Sequence, residues 1–466
     1  MADEPKSQAE QLKDALFYQT ENSGLQMTDA EIEAAFHYCE GYKSFLGRSK
    51  TEREAVASAV QAAQKAGFRP FEPGIRYEKG SRVYANNRGK SIVLAVVGER
   101  PLREGVRIAA AHIDSPRLDL KQNPLYEDTE IAQFKTHYYG GIKKYQWPTI
   151  PLALHGVIFR RDGGKVEVNL GENEGDPLFC ITDLLPHLAA EQMKKPMMNA
   201  IPAENLNVVV GSLPFRDDKA SEMVKLRILQ MLHEKYGIVE ADFLSAELTM
   251  VPAYKPVDIG FDRSFIGAYG HDDKVCAYPA LTALLDCGVP PVTGVCVLTD
   301  KEEIGSEGNT GLKSAYLPYF VADLAHPWGL EGREVLSRST CLSADVSAAY
   351  DPNYPDVMEK RNAAYVNRGV ALNKYTGSRG KYSTNDASAE FTRRVTALLD
   401  REKVQWQMAE LGRVDAGGGG TVAMYIANLN VDVIDMGVPV LSMHAPFELV
   451  SKLDVYSAYR AFDAFF

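Results

Sequence analysis

The chain has 466 residues, 45% of them hydrophobic and 24% charged, the balance of an ordinary globular protein that can bury a large core without staples. It carries 51 basic and 62 acidic residues, a net charge of −11, which argues against a nucleic-acid surface, since that requires clustered positive charge. No apolar run approaches ~18 residues and the first six residues lack a basic, apolar leader, so the expectation is a cytoplasmic protein with no membrane span. The six cysteines form no CxxC pair and fit buried, reduced thiols.

The N-terminal part reads as helical. Thr28 with Glu31, and Thr51 with Glu54, have capping-box spacing, and the second helix, Ala55–Ala66, meets Gly67 as its stop. A hairpin-like pair follows, Arg82-Val83-Tyr84 and Ser91–Gly98, with Val106–Ala111 as a third strand ending at His112-Ile113-Asp114. From about 121 to 250 the pattern changes. A loop rich in glycine and aromatics, Gly140–Pro148, leads into a hairpin, Leu152–Arg160 and Lys165–Leu170, joined by Arg161-Asp162-Gly163-Gly164. An extended Asn207–Gly211 and an amphipathic helix, 219–236, complete this block.

After 251, strands and helices alternate. Helix Asp273–Asp286 closes at Gly288, and Val292–Thr299 is a strand. Helix Phe391–Leu399, strand Val404–Ala409, helix Thr421–Leu429, a strand-rich Val431–Met443 and a closing helix Leu453–Phe465 follow. This alternation predicts an α/β fold: a layered catalytic domain (1–120 and 251–466) with a central mixed sheet flanked by helices, and an inserted β-rich second domain (121–250).

The chemistry-bearing residues share one setting, the end of an apolar strand or the turn after it. His112 and Asp114 follow Val106–Ala111. Asp272 and Asp273 follow Gly267–His271, Glu302 and Glu303 follow Val295–Thr299, Asp345 follows Cys341–Ala344, and His444 follows Val438–Met443. Ligand sites of open α/β sheets lie at the carboxyl ends of their strands. Two histidines and three carboxylates suit a pair of divalent ions, most simply zinc, with cobalt or manganese also compatible. Such a pair acidifies a water and polarises a carbonyl, and a spare glutamate beside it can shuttle the proton. Asp114, two residues past His112, falls on the same face of an extended segment and is placed to orient the imidazole. The glycine run Ala416–Thr421 lacks a P-loop ending and reads as close backbone approach rather than a phosphate cradle.

In combination, Ala111-His112-Ile113-Asp114-Ser115-Pro116, Thr299–Ser306, Ser343-Ala344-Asp345 with Pro352-Asn353-Tyr354, and Met443-His444-Ala445-Pro446 resemble the motifs of the aspartyl aminopeptidase (aminopeptidase I) family of dinuclear metallo-aminopeptidases. The resemblance runs from the first strands to the C-terminus. It implies His112, Glu303, Asp345 and His444 as metal ligands, Asp272 as the bridge between two ions, Glu302 as general base and acid, and Asp114 as the residue that orients His112. Asp273 stands where the family often has Asn, so the two aspartates remain alternative bridges. The resemblance also implies substrate contacts from His155, reaching into a neighbouring subunit, and from Tyr382. Lys374 could serve an acidic N-terminal side chain. It further implies peptide substrates and a homo-oligomer, a tetrahedral dodecamer, built through the 121–250 domain. The rival readings are a related dinuclear carboxypeptidase or N-acyl-amino-acid deacylase, and a non-catalytic assembly protein on the same fold.

Overall fold

The computed structural model describes residues 6–18, 20–217 and 220–466. Residues 1–5, on which the expectation about a leader bears, and Lys219, where the expected amphipathic helix begins, lie outside the described residues. No helix among the described residues is long and apolar enough to cross a membrane.

A nine-stranded mixed sheet forms the centre. Its order across the sheet is Arg69–Pro70, Arg82–Asn87, Ser91–Val96, Gly294–Thr299, Arg107–His112, Thr340–Ser343, Asp432–Gly437, Val370–Asn373 and Trp406–Met408. Four central strands, from Gly294–Thr299 to Asp432–Gly437, run parallel, so their carboxyl ends share one edge. The registers align Thr299 with His112 and Ser343 with Asp435.

These strands are buried on both faces, as near-continuous apolar sequences require. Successive side chains serve opposite layers. Ile92, Leu94, Ala109, Cys296 and Leu298 pack toward helices Asp29–Arg48, Glu52–Lys65, His271–Asp286 and Lys452–Phe465. Val93, Ala95, Ile108, Val295 and Val297 pack toward helix Tyr316–Ala325 and its neighbours. Both expected capping boxes form, at Thr28–Glu31 and Thr51–Glu54, and Gly67 closes the second helix at φ 82°.

A seven-stranded antiparallel sheet is built from residues 117–252, in the order Lys165–Leu170, Leu152–Phe159, Ala246–Pro252, Arg117–Asp128, Ile131–Tyr139, Val208–Gly211 and Cys180–Ile181. Helix Met223–Tyr236 covers it, with Val224 buried and Ile228 and Leu232 against the same core. The two long strands Arg117–Asp128 and Ile131–Tyr139 are additions to the sequence reading. A small third sheet contains Phe265–Ala268, Glu448–Ser451, Pro439–Leu441 and Ser347–Ala348.

Three elements differ from expectation. The stretch Val431–Met443 divides into Asp432–Gly437 in the central sheet and Pro439–Leu441 in the small one. Gly437 permits the change of sheet, because a Cβ there would lie 1.7 Å from Asp345 O. Helix Thr421–Leu429 is only Ala423–Ala427. The helix expected from Asp273 takes regular angles only after that residue: Asp272 and Asp273 keep non-helical angles and lead in from Gly270 at φ 79°. All six cysteines are unpaired.

Candidate metal centre

The parallel strands end in a polar cluster because each apolar run gives way to charge at the same edge. After Thr299 the chain turns through Lys301, at φ 68°, into the single helical turn Glu302–Ile304. That turn is pinned from the neighbouring strand: Asp114 Oδ1 accepts the N–H of Glu302 at 3.1 Å, and Asp114 Oδ2 accepts the N–H of Glu303 at 3.2 Å. Tyr139, from the long antiparallel sheet, donates its hydroxyl to the same Oδ2 at 2.8 Å.

His112 is 1% exposed. Its Nδ1 lies 3.1 Å from Asp114 O and 3.3 Å from Asp114 Oδ1, so the ring proton belongs on Nδ1 and the Nε2 lone pair is free. That Nε2 faces Asp272 Oδ1 at 3.1 Å and Asp345 Oδ1 at 3.8 Å. His444 repeats the arrangement. Its Nδ1 is directed at Gly141 O at 2.8 Å, while Nε2 faces Asp272 Oδ2 at 3.2 Å and Glu303 Oε2 at 3.6 Å. Asp272 therefore lies between the two histidines with one oxygen toward each. Asp273, joined to it by a cis peptide bond, instead accepts the His112 N–H through Oδ2 at 3.2 Å.

Atoms of His112, Asp272 and Glu303 lie within 4.8 Å of one another, as do atoms of His112, Asp273 and Asp345. Asp272 Oδ1, Asp273 Oδ1 and Glu303 Oε1 are buried with no hydrogen-bond partner among the described residues. Lone pairs of nitrogen and oxygen that converge without hydrogen-bond geometry are what a divalent cation requires, and buried carboxylates are otherwise costly. The residues present fit zinc.

The electrostatics agree. Burial, with the negative charge of Asp345, pushes Glu302 up to about 8. Burial and Asp272 hold Glu303 well above the usual carboxylate range, and burial also raises Asp345. Burial opposes charge on the histidines, yet contact with Asp114, Asp272 and Asp345 lifts His112 far above its ordinary value. His444, similarly opposed by burial, is raised to about 10 by Asp272 and Glu303. A cluster that draws protons this strongly is short of positive charge, which divalent ions supply.

A cavity of about 400 Å³ opens beside the cluster. Its lining includes Asp272, Glu302, Glu303, Asp345 and His444 of the cluster together with Ser347, Asn373, Thr376, Leu411, Gly418, Gly419, Gly420 and Thr421. The glycine run is a close approach, as its sequence suggests: a Cβ on Gly418, at φ 93°, would lie 2.1 Å from Gly377 O.

Three expected substrate residues stand apart from this cluster. His155 is 1% exposed, with Nδ1 2.8 Å from Glu54 Oε1 and Nε2 3.1 Å from Glu172 Oε1. Both ring nitrogens are engaged within its own chain, where the imidazole links Glu54 and Glu172. Lys374 donates to Asp386 Oδ1 at 2.5 Å and does not line the cavity. Tyr382 is 69% exposed on the loop that returns to Ser378 and does not line the cavity.

Two residues were missed. Glu448 is buried and accepts the N–H of Asp272 at 3.2 Å and that of His444 at 2.7 Å, holding the backbone of two cluster residues at once. Its signal was a carboxylate inside the apolar run Pro446–Val450. Tyr139 left no local signal, because it acts across two sheets.

The family model described as "Aminopeptidase I zinc metalloprotease (M18)" matches residues 45–466. A Clostridium acetobutylicum protein described as "Probable M18 family aminopeptidase 1" is 48% identical over 458 residues, 97% of this chain and 98% of its own. The crystal structure of an M18-family aminopeptidase from Thermotoga maritima superposes with a TM-score of 0.92 at 45% identity, covering 96% of this chain and 99% of that one. The crystal structure of aminopeptidase I from Clostridium acetobutylicum gives 0.91 at 46% identity, covering 97% and 99%. The chain belongs to the aminopeptidase I zinc metalloprotease family. It is a metallo-aminopeptidase, and that membership favours this reading over the carboxypeptidase, deacylase and non-catalytic ones.

Proposed function

We propose that this member of the aminopeptidase I family releases the N-terminal residue of peptides at two divalent ions held by five of its side chains. His112 and Asp345 would hold one ion, Glu303 and His444 the other, and Asp272 would bridge them. The observation that carries this is the position of Asp272, Oδ1 toward His112 and Oδ2 toward His444. Asp273 is less suited to bridge, since one of its oxygens is occupied by the His112 N–H. When bound, the ion pair supplies an acidified water and a Lewis acid for the peptide carbonyl.

The protein's own part is proton transfer and positioning. Glu302 lines the cavity, is not needed as a ligand, and takes a proton that it returns to the leaving nitrogen. Asp114 fixes the turn that carries Glu302 and keeps the proton of His112 on Nδ1. Glu448 fixes the approach of Asp272 and His444.

The 121–250 segment would serve as a dimerisation and oligomerisation domain, with a tetrahedral dodecamer as the expected assembly. Supporting this, Leu184, Leu188, Met193, Met197 and Met198 are 52–74% exposed along one stretch of it, an apolar strip of the kind that marks an interface. Light scattering at twelve times the chain mass supports that assembly, and a monomer rules it out.

The catalytic reading is tested by N-terminal release from a peptide panel with metal present, after chelation, and with zinc, cobalt or manganese restored. Release that stops on chelation and returns with metal is the expected result. Release only from N-acylated substrates, or from the C-terminus, overturns it.

A further inference from the structure

The part of the cavity lining outside the cluster has no part in proton transfer or ion binding, yet two of its buried polar groups lack partners among the described residues. Asn373, the last residue of its strand, is 3% exposed and lines the cavity, and its Oδ1 has no hydrogen-bond partner among the described residues. Ser347 is 1% exposed, lines the same cavity, and its Oγ is likewise unpartnered. Buried polar groups in native proteins are nearly always satisfied, and those that are not call for an explanation such as a ligand that supplies the missing partner. Thr376 and Thr421 add hydroxyls to this wall, and Val346 and Leu411 give it apolar flanks.

The wall also lacks a cation. None of the described residues lining the cavity is a lysine or arginine. Lys374, next to Asn373 in the chain, is spent on Asp386, which also accepts Lys381 at 3.0 Å. A carboxylate entering here would find no lysine or arginine on this lining to pair with, and an ammonium would lose its hydration against Val346 and Leu411. A side-chain amide, by contrast, matches Asn373 in both directions, since each carries a donor and an acceptor.

We propose that Asn373 and Ser347 form the seat for the substrate's N-terminal side chain and select an uncharged residue, with an amide or hydroxyl end favoured over a charged one. This rests on the aminopeptidase reading above. The side chain docks against Asn373 while the scissile carbonyl lies toward Glu302, which borders the same cavity. Acidic N-terminal residues are poor substrates.

The test is kcat/KM of the zinc-loaded enzyme on X-Ala-Ala-Ala peptides with X = Gln, Glu, Leu or Lys. Gln and Glu have the same shape and differ in charge, so their ratio reads the missing cation directly. The expected result is Gln above Glu by about 100-fold, the scale of the penalty for burying a charged group without its partner. In Asn373→Leu the Gln/Leu ratio falls about tenfold, and Ser347→Ala lowers the same ratio should the first variant fold poorly. Release of Leu together with Glu equal to or above Gln overturns the pocket assignment and leaves the aminopeptidase reading standing, as does a Gln/Leu ratio unmoved in both variants. No release from any of the four, alongside cleavage of their N-acetylated forms, overturns both.

Discussion

Asp114 and Glu302 are joined by a hydrogen bond from the backbone N–H of one to the carboxylate of the other, 3.1 Å long, and the same carboxylate accepts the N–H of Glu303. One side chain at the end of one parallel strand thus sets the turn at the end of the next. Adjacent glutamates can then do different work: both border the cavity, and Glu303 also faces His444 Nε2 at 3.6 Å. Replacing Asp114 with Asn puts a donor where acceptors are needed. Asp114→Asn is predicted to lower kcat by about 10- to 100-fold and to weaken zinc binding, the usual scale for residues that orient metal ligands. Steady-state kinetics with a competing chelator measures both.

Glu302→Gln keeps the size of the side chain and removes its basicity. The variant is predicted to retain metal and lose about 10²- to 10⁴-fold in kcat, the range for general acid–base groups. A variant that holds metal and turns over at the wild-type rate would remove Glu302 from the proton path.

Tyr139 carries the antiparallel sheet into this arrangement. Its hydroxyl reaches Asp114 at 2.8 Å, and the Arg117 guanidinium lies 4.0 Å from the centre of its ring. Tyr139→Phe keeps the ring and removes the hydroxyl, a loss of about 1 kcal/mol for one hydrogen bond. It is predicted to lower kcat severalfold, with KM nearly constant. Its effect in an Asp114→Asn background is predicted to be smaller than alone, because the two act through one contact. Full additivity would separate Tyr139 from Asp114.

The pH dependence of the metal-free protein follows from the raised groups. Burial pushes Asp435 up to about 8, and burial with Asp272 pushes Glu448 up to about 8, like Glu302. A carboxyl raised in the folded state binds more protons there than in the unfolded chain, from the ordinary carboxylate range near pH 4 up to about 8. Folding stability therefore is highest at the low end of that window and falls as pH rises through it. His444, raised to about 10, has the same sign above its ordinary value. The chelated enzyme is predicted to lose Tm from pH 5 to pH 8. Zinc should restore more Tm at pH 8 than at pH 5, since ligands must be deprotonated to bind it. Thermal melts at several pH values, with and without zinc, check both slopes.

Much of this centre is legible in the sequence, because strand-end chemistry is local. Apolar runs that break into His112, Glu302–Glu303 and Asp345 locate one sheet edge, and parallel registers bring them together. What is not legible acts through backbone or across layers. Glu448 works by accepting two N–H groups, and no periodicity marks that. The division of Val431–Met443 between two sheets depends on how closely Gly437 approaches Asp345, a contact between distant residues. Asp272 stands just ahead of a helix, but it keeps non-helical angles there and its carboxylate turns to the two histidines. Lys374 has the right charge for an acidic substrate, and its pairing with Asp386 is a contact that no local pattern marks.

The bridging position of Asp272 is the central claim, and zinc titration of the chelated enzyme with activity read at each addition tests it most directly. Two zinc ions per chain are predicted for the wild type, with activity that appears as the second binds, and an inactive Asp272→Ala that no longer holds the pair. Full activity at one ion per chain, or an Asp272→Ala variant that binds two and turns over normally, would contradict it.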